Sequence, residues 1–419
     1  MVTAAPVSVV VAAVLFASLT LPHGSSAQPV DEGVIENISV EARGFAEPRL
    51  GVVWTSRPLG HSGAKYLRLR LSGIALPARP PLEVEIVAED GTVLEKLGRS
   101  ELEGRSAVWS KVLSVSWVRV RVRAEERPDG LRFTIDKQAY SLTVVAGELS
   151  LVGTDGREEV YQAAELDLRR AAAAVAKLSF VRQGRPRSCT GFLISEKHFV
   201  TNEHCIADQE TCDTAIALFG YQKRSKEQVE RGPQYRCSRF VGAKHDLDYA
   251  VIELVGRPGD TFGRLDLDPR PLLPNDGLIV VQHPGGKPKK LSRKGCVVRT
   301  SIGAGYAADT DFGHECDTEG GSSGSPVLLA ANLKVVGLHH LGRAESGRWK
   351  NQNRAVRMEV LVPELTLRRP EGAATGKTGD ELTAEEVDII HRRQVGVPSA
   401  LPRMWRRRFS YRDISNLGF

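Results

Sequence analysis

The sequence predicts an all-β protein of two linked modules, an antiparallel β-sandwich followed by a larger β module that carries every cysteine. Three observations lead there. Residues 66–71 (YLRLRL) and 117–123 (WVRVRVR) alternate apolar with basic side chains at period two, as strands do with one face in a core and one in water. Turn residues punctuate this region at Pro80-Pro81, Asp90-Gly91 and Asp129-Gly130, at the spacing of short antiparallel strands. From residue 178 to about residue 365, apolar strand-like runs alternate again with Gly- and Pro-rich turns.

Residues 1–27 read as a signal peptide. An apolar run over residues 6–21 breaks at Pro22-His23-Gly24, and small residues at Ser25 and Ala27 suit cleavage before Gln28. No Lys or Arg precedes the run, and the alternative is an uncleaved anchor, because the run is barely long enough to span a bilayer. Export implies a secreted or periplasmic protein with no stable membrane insertion after cleavage. Residues 28–150 are the expected sandwich domain, with its Arg rows in solvent and a ligand that the sequence leaves undefined. Residues 153–156 make a turn, and residues 158–177, Ala-rich and spaced as a helix, lead into a strand at 178–181. The second domain spans residues 160–366. Residues 367–419 are a partly disordered tail: a linker at 372–379, a helix at 383–393 capped by Thr383 with Glu386, and the basic run Trp405-Arg-Arg-Arg408.

A chain of 419 residues, 41% hydrophobic and 26% charged, has enough apolar residues for two or three cores, which excludes wholesale disorder. Its net charge of +6 is dispersed among acidic residues and reads as a solvated surface, so no nucleic-acid partner is expected. The six cysteines (Cys189, Cys205, Cys212, Cys237, Cys296 and Cys316) are even in number behind an export signal, which points to disulfides with the pairing left open. A zinc site is the alternative, but there is no C-x-x-C pair and the histidines lack finger spacing. No metal and no cofactor are expected.

Three segments carry chemistry. Residues 188–195 (SCTGFLIS) and 198–205 (HFVTNEHC) read as strand, turn and strand ending in a histidine before a cysteine, a fixed place for a general base. Residues 245–254 (HDLDYAVIEL) put acidic residues at the mouth of a buried strand, where one can accept the histidine Nδ1 proton. Residues 317–328 (DTEGGSSGSPVL) supply serines on a glycine turn whose own N–H groups can stabilise an oxyanion. The order His, Asp, Ser differs from that of subtilisins and α/β-hydrolases, and the G-x-S-x-G pattern fails at Ser325.

Together these segments resemble the trypsin-like (chymotrypsin-fold) serine peptidases, nearest to the bacterial glutamyl-endopeptidase-like group, over residues 164–365. The resemblance implies a chymotrypsin-like double β-barrel with its site in the cleft. It implies His204 as base, Asp248 (followed by a bulky residue and Ala, unlike Asp246) as its partner, and Ser323 in Gly-x-Ser-Gly-Ser-Pro as nucleophile. The N–H groups of Gly321 and Ser323 would be the oxyanion hole, and protein or peptide chains the substrates. It also implies a Cys189–Cys205 bridge; Cys212–Cys237 and Cys296–Cys316 complete the expected set, the last stapling the strand at 295–300 to the nucleophile loop. Thr318 and His339 match positions that hold a substrate Glu carboxylate in glutamyl endopeptidases, so a preference for Glu on the acyl side is expected; the alternative is Arg or Lys, which Asp317 at the pocket base would attract. Animal trypsins carry Asp before the nucleophile and this chain has Ser322, so no activating salt bridge with a new N-terminus is expected. His339 and His340, adjacent on a strand, face opposite sides and cannot share an ion. The alternative function is an extracellular binding or adhesion protein that retains a protease fold, against which the complete set of base, orienter and nucleophile argues.

Overall fold

The alternation at residues 66–71 becomes the strand Tyr66–Ala75, inside a four-stranded antiparallel sheet ordered Val34–Ala42, Arg132–Ser141, Tyr66–Ala75, Ala107–Trp109. The structure is a computed structural model that describes residues 29–142, 149–151, 155–344 and 346–367. The expected signal peptide and C-terminal tail lie outside the described residues. Facing the first sheet, Trp117–Ala124 lies between Val52–Thr55 and Leu82–Ala88, with Val93–Leu97 at the edge. Leu67, Leu69 and Leu71 from one sheet and Val118, Val120 and Val122 from the other are buried in the core between them.

The expectation that the Arg rows face water fails at Arg68, which is only 2% exposed. Its face of the sheet is covered by the second module. The guanidinium donates from Nε to Ser110 O (3.0 Å) and from Nη2 to Thr214 O (2.7 Å), and lies over the Trp109 ring. Burial pulls its pKa down to about 10. Beside it, Arg236 pairs with the buried Glu95, and Gln234 exchanges two hydrogen bonds with the Val112 backbone (2.9 and 2.8 Å).

The second module begins with a closed barrel. Arg185–Leu193, Val175–Arg182, Ile216–Leu218, Gln234–Lys244, Tyr249–Leu254 and His198–Thr201 pair in that order, and the last returns to pair with the first. The short strand Val30–Asp31 adds to this barrel at Ser188 and Arg187, although the sequence suggests that residues 28–150 form one sandwich unit. The second half is an open antiparallel sheet running Glu158–Glu159, Lys290–Ser292, Leu278–Gln282, Pro326–Leu329, Val335–Leu341, Asn353–Arg357, Asp311–His314, Val298–Gly303. A closed barrel beside a half-barrel is the chymotrypsin-like architecture.

Two elements differ from expectation. Of residues 158–177 only Leu166–Ala173 is α-helical, because Glu158–Glu159 pairs with Leu291 and Lys290 and Val175 already pairs with Phe192. Strand pairing in the barrel overrides the helix propensity of the alanines. Near residue 365 the chain closes in a helix, Met358–Leu367, whose Met358, Leu361 and Leu365 share one buried face. All three expected disulfides are present, Cys189–Cys205, Cys212–Cys237 and Cys296–Cys316. No described helix is long and apolar enough to cross a membrane.

Candidate active site

Strand register brings His204 to Asp248. Thr201 pairs with Ala250 at the end of the first barrel, so the residues three beyond one and two before the other leave the sheet together. The Asp248 carboxylate accepts the His204 backbone N–H at Oδ1 (3.0 Å) and the ring Nδ1–H at Oδ2 (2.7 Å). Asp248 itself adopts left-handed backbone (φ 39°, ψ 47°), held by the Asn202 side chain donating to its carbonyl (2.7 Å). Burial alone would raise this carboxyl, but the His204 and His340 rings hold it well below the usual carboxylate range. Nδ1 of His204 is thereby committed as donor, which leaves Nε2 as the basic nitrogen; it has no hydrogen-bond partner among the described residues.

The loop that carries Ser323 is fastened to the same barrel. Thr190 donates its N–H to Ser323 O (2.8 Å) and its hydroxyl to Gly321 O (2.9 Å). Thr190 follows Cys189, which is bonded to Cys205 beside His204, so His204 and Ser323 hang from one covalent and hydrogen-bonded frame. Gly324, at φ +85°, permits this approach: a Cβ there would lie 2.1 Å from Thr190 O. Gly320 O accepts from Gly285 N–H (2.7 Å) and Ser322 O accepts from Ser325 N–H (3.0 Å). In planar trans peptides the N–H groups of Gly321 and Ser323 therefore point the opposite way from those anchored carbonyls. Ser322 donates to the Gln282 side chain, whose Nε2 donates to Ser292 Oγ (2.7 Å) and Asp317 O (2.7 Å). A neutral, buried network thus holds the loop from beneath.

Asp317, Thr318 and His339 are all buried. The Asp317 carboxylate accepts the N–H of Gly156 (2.8 Å), in the segment that joins the two modules. Thr318 Oγ1 and His339 Nε2 are buried without a hydrogen-bond partner among the described residues. The tautomer of His339 follows from its neighbours. Cys316 N–H donates to His314 Nδ1 (3.3 Å), so neutral His314 carries its proton on Nε2 and donates to His339 Nδ1 (3.3 Å). That leaves His339 with an Nε2–H donor. Burial depresses both rings, His314 to about 3 and His339 well below its ordinary value, so both are neutral near pH 7.

His204 and Asp248 meet directly, and the loop carrying Gly321 and Ser323 joins them through Thr190. Cys189, His204 and Cys205 lie close enough to suggest a metal site, but the two sulfurs are bonded to each other. His339 and His340 do face opposite sides, one toward His314 and the other toward Asp248. The sequence does not single out His314, Asp311 or Thr190, and His340 only as half of a doublet.

The first curated relative is the "Secreted RxLR effector protein 73" of Plasmopara viticola, 30% identical over 236 residues that cover 50% of this chain and 56% of that protein. The "Uncharacterized protein y4fB" of Sinorhizobium fredii is 34% identical over 166 residues, 36% of this chain and 25% of that protein. The chain thus spans about half the length of one relative and a quarter of the other. Among solved structures, a Glu endopeptidase in complex with MPD is 20% identical, with a TM-score of 0.39, over 52% of this chain and 97% of that one. A family model, the trypsin-like peptidase domain, matches residues 189–338 of this chain, the span that carries His204, Asp248 and Ser323.

Proposed function

We propose that the protein is an exported serine endopeptidase that works through an acyl-enzyme on Ser323. The observation that carries this reading is the His204–Asp248 pair: a buried carboxylate fixes Nδ1–H and leaves Nε2 free to act as base. His204 Nε2 takes the Ser323 hydroxyl proton as Oγ attacks the substrate carbonyl. The developing oxyanion is met by the N–H groups of Gly321 and Ser323. His204 then gives the proton to the leaving amine, and water repeats the sequence on the ester.

For primary specificity we infer a preference for Glu on the acyl side of the scissile bond. Two buried polar atoms support it, the His339 Nε2–H and the Thr318 hydroxyl, both without a partner and both suited to a carboxylate. The competing basic preference loses support because Asp317 is engaged by the Gly156 N–H. Three disulfides favour an oxidising compartment, and the word "secreted" in the first relative's name agrees with export. In this reading residues 28–150 and 160–366 are the sandwich and the peptidase, and Val30–Asp31 is lent to the peptidase sheet. The test is casein hydrolysis by the mature protein and by Ser323→Ala, followed by a peptide-library cleavage profile. Equal activity in the two proteins would overturn the assignment, and cleavage confined to Arg or Lys would overturn the specificity.

A further inference from the structure

We propose that His340 and Asp311 form a positioning pair behind the His204–Asp248 dyad, one that fixes the Asp248 carboxylate toward His204 while leaving its net charge intact. This rests on the endopeptidase reading. His340 is 1% exposed and lies between two carboxylates: its Nδ1 is 3.1 Å from Asp248 Oδ2 and its Nε2 is 2.7 Å from Asp311 Oδ2. Ionised carboxylates only accept hydrogen bonds, so both ring nitrogens must donate, and the ring is an imidazolium. Burial alone would drive it neutral, but Asp311 and Asp248 outweigh that and raise its pKa to about 9.

The seat is built on both sides. Asp311 is buried, and its Oδ1 accepts the Thr310 hydroxyl (2.9 Å). A Cβ on Gly305 would lie 2.0 Å from that same oxygen, so only glycine lets the loop close over it. The Tyr306 ring stands edge-on to His340 at 5.6 Å. The other titratable groups around this chain are His204 on the far side of Asp248, the neutral His314 and His339, and Arg354 on the neighbouring strand.

The charges explain why two residues are needed. A lone imidazolium on Asp248 would hold the carboxylate still but cancel the negative charge that stabilises protonated His204. Asp311 supplies a compensating charge, so two carboxylates and one imidazolium together carry the single negative charge of Asp248 alone. A purely structural core gains nothing from a buried charge triad over apolar residues of the same volume.

The test reads the rate at which a fluorophosphonate probe labels Ser323 in the full mature protein, as a function of pH, in wild type, His340→Gln, Asp311→Asn and the double variant. We expect each single variant to label at least about tenfold more slowly, with acid limbs displaced in opposite directions by about one pH unit. Asp311→Asn leaves an uncompensated cation and moves the limb to lower pH. His340→Gln removes the cation between two carboxylates and moves it to higher pH. The double variant returns the limb toward the wild-type position. Loss of packing alone slows labelling without opposite displacements, and that result overturns the proposal, as do single variants that match wild type. A wild type that fails to label overturns the endopeptidase reading instead. Should a variant not fold, imidazole 15N shifts in the wild type decide: a doubly protonated His340 at pH 7 supports the pair, and a neutral ring overturns it.

Discussion

Replacing His339 by Leu removes one donor from the inferred carboxylate site while keeping a side chain of similar bulk. Nδ1 of His339 is occupied by His314, so the ring offers a substrate only its Nε2–H, and Leu offers nothing there. A hydrogen bond from a buried donor to a charged group contributes about 1.5–3 kcal/mol, which corresponds to a loss of about 10- to 150-fold in kcat/KM for a substrate with Glu at the acyl position. The same change for Gln at that position is smaller, since a neutral acceptor gains less. The assay is kcat/KM on paired fluorogenic peptides that differ only in Glu or Gln, measured above pH 6 so that the substrate carboxyl is ionised. The Glu-to-Gln ratio should fall at least about tenfold in His339→Leu and less in Thr318→Val, which loses one hydroxyl. An unchanged ratio with intact activity refutes the reasoning, because the tautomer chain from Cys316 through His314 would then point at nothing the substrate uses.

Three further outcomes are expected. Asp248→Asn presents an amide N–H to His204 Nδ1 and reverses the tautomer, so casein hydrolysis should fall by about four orders of magnitude with the fold intact by circular dichroism; a loss under tenfold counts against His204 as base. Arg236→Ala leaves Glu95, whose side chain is 1% exposed, buried without its guanidinium partner, and urea denaturation should show a loss of about 3 kcal/mol. A loss below about 0.5 kcal/mol would mean that the two modules do not rely on this pair. Lys289 is buried with its ammonium on Ala172 O (2.6 Å), and burial lowers its pKa from 10.5 to about 7. Between those values the unfolded chain binds the extra proton, so stability gained from this group rises with pH at up to about 1.4 kcal/mol per unit. The stability difference between wild type and Lys289→Met should therefore shift in favour of wild type from pH 7 toward pH 10, and a difference that stays constant over that range refutes it.

The chemistry was legible in the sequence wherever it sits in contiguous segments. His204 precedes its cysteine directly, Asp248 opens its own strand, and Ser323 lies in a glycine turn, so residue type and spacing mark the three segments, while the resemblance to trypsin-like peptidases selects the individual residues within them. His340 and Asp311 are 29 residues apart and meet only because Asn353–Arg357 pairs with both of their strands, a fact of register that no local pattern encodes. The burial of Arg68 is not legible in the sequence for a related reason. Period two tells which residues share a face of a sheet, but whether water or another module covers that face is decided by docking. The alanines before Val175 read as a longer helix because propensity is local, whereas the barrel pairing that ends the helix is not.

The strand Val30–Asp31 has a mechanical consequence. The sandwich is bound to the peptidase sheets at both ends of its sequence, by Val30–Asp31 on one side and by Leu149–Ser150, paired with Glu319 and Thr318, on the other. A nick between the modules would therefore yield a two-chain particle, still joined through the first strand, instead of releasing the sandwich. Tension applied to the sandwich through a bound partner would be carried along both tethers, and the second ends on the two residues that lead into the turn carrying Ser323.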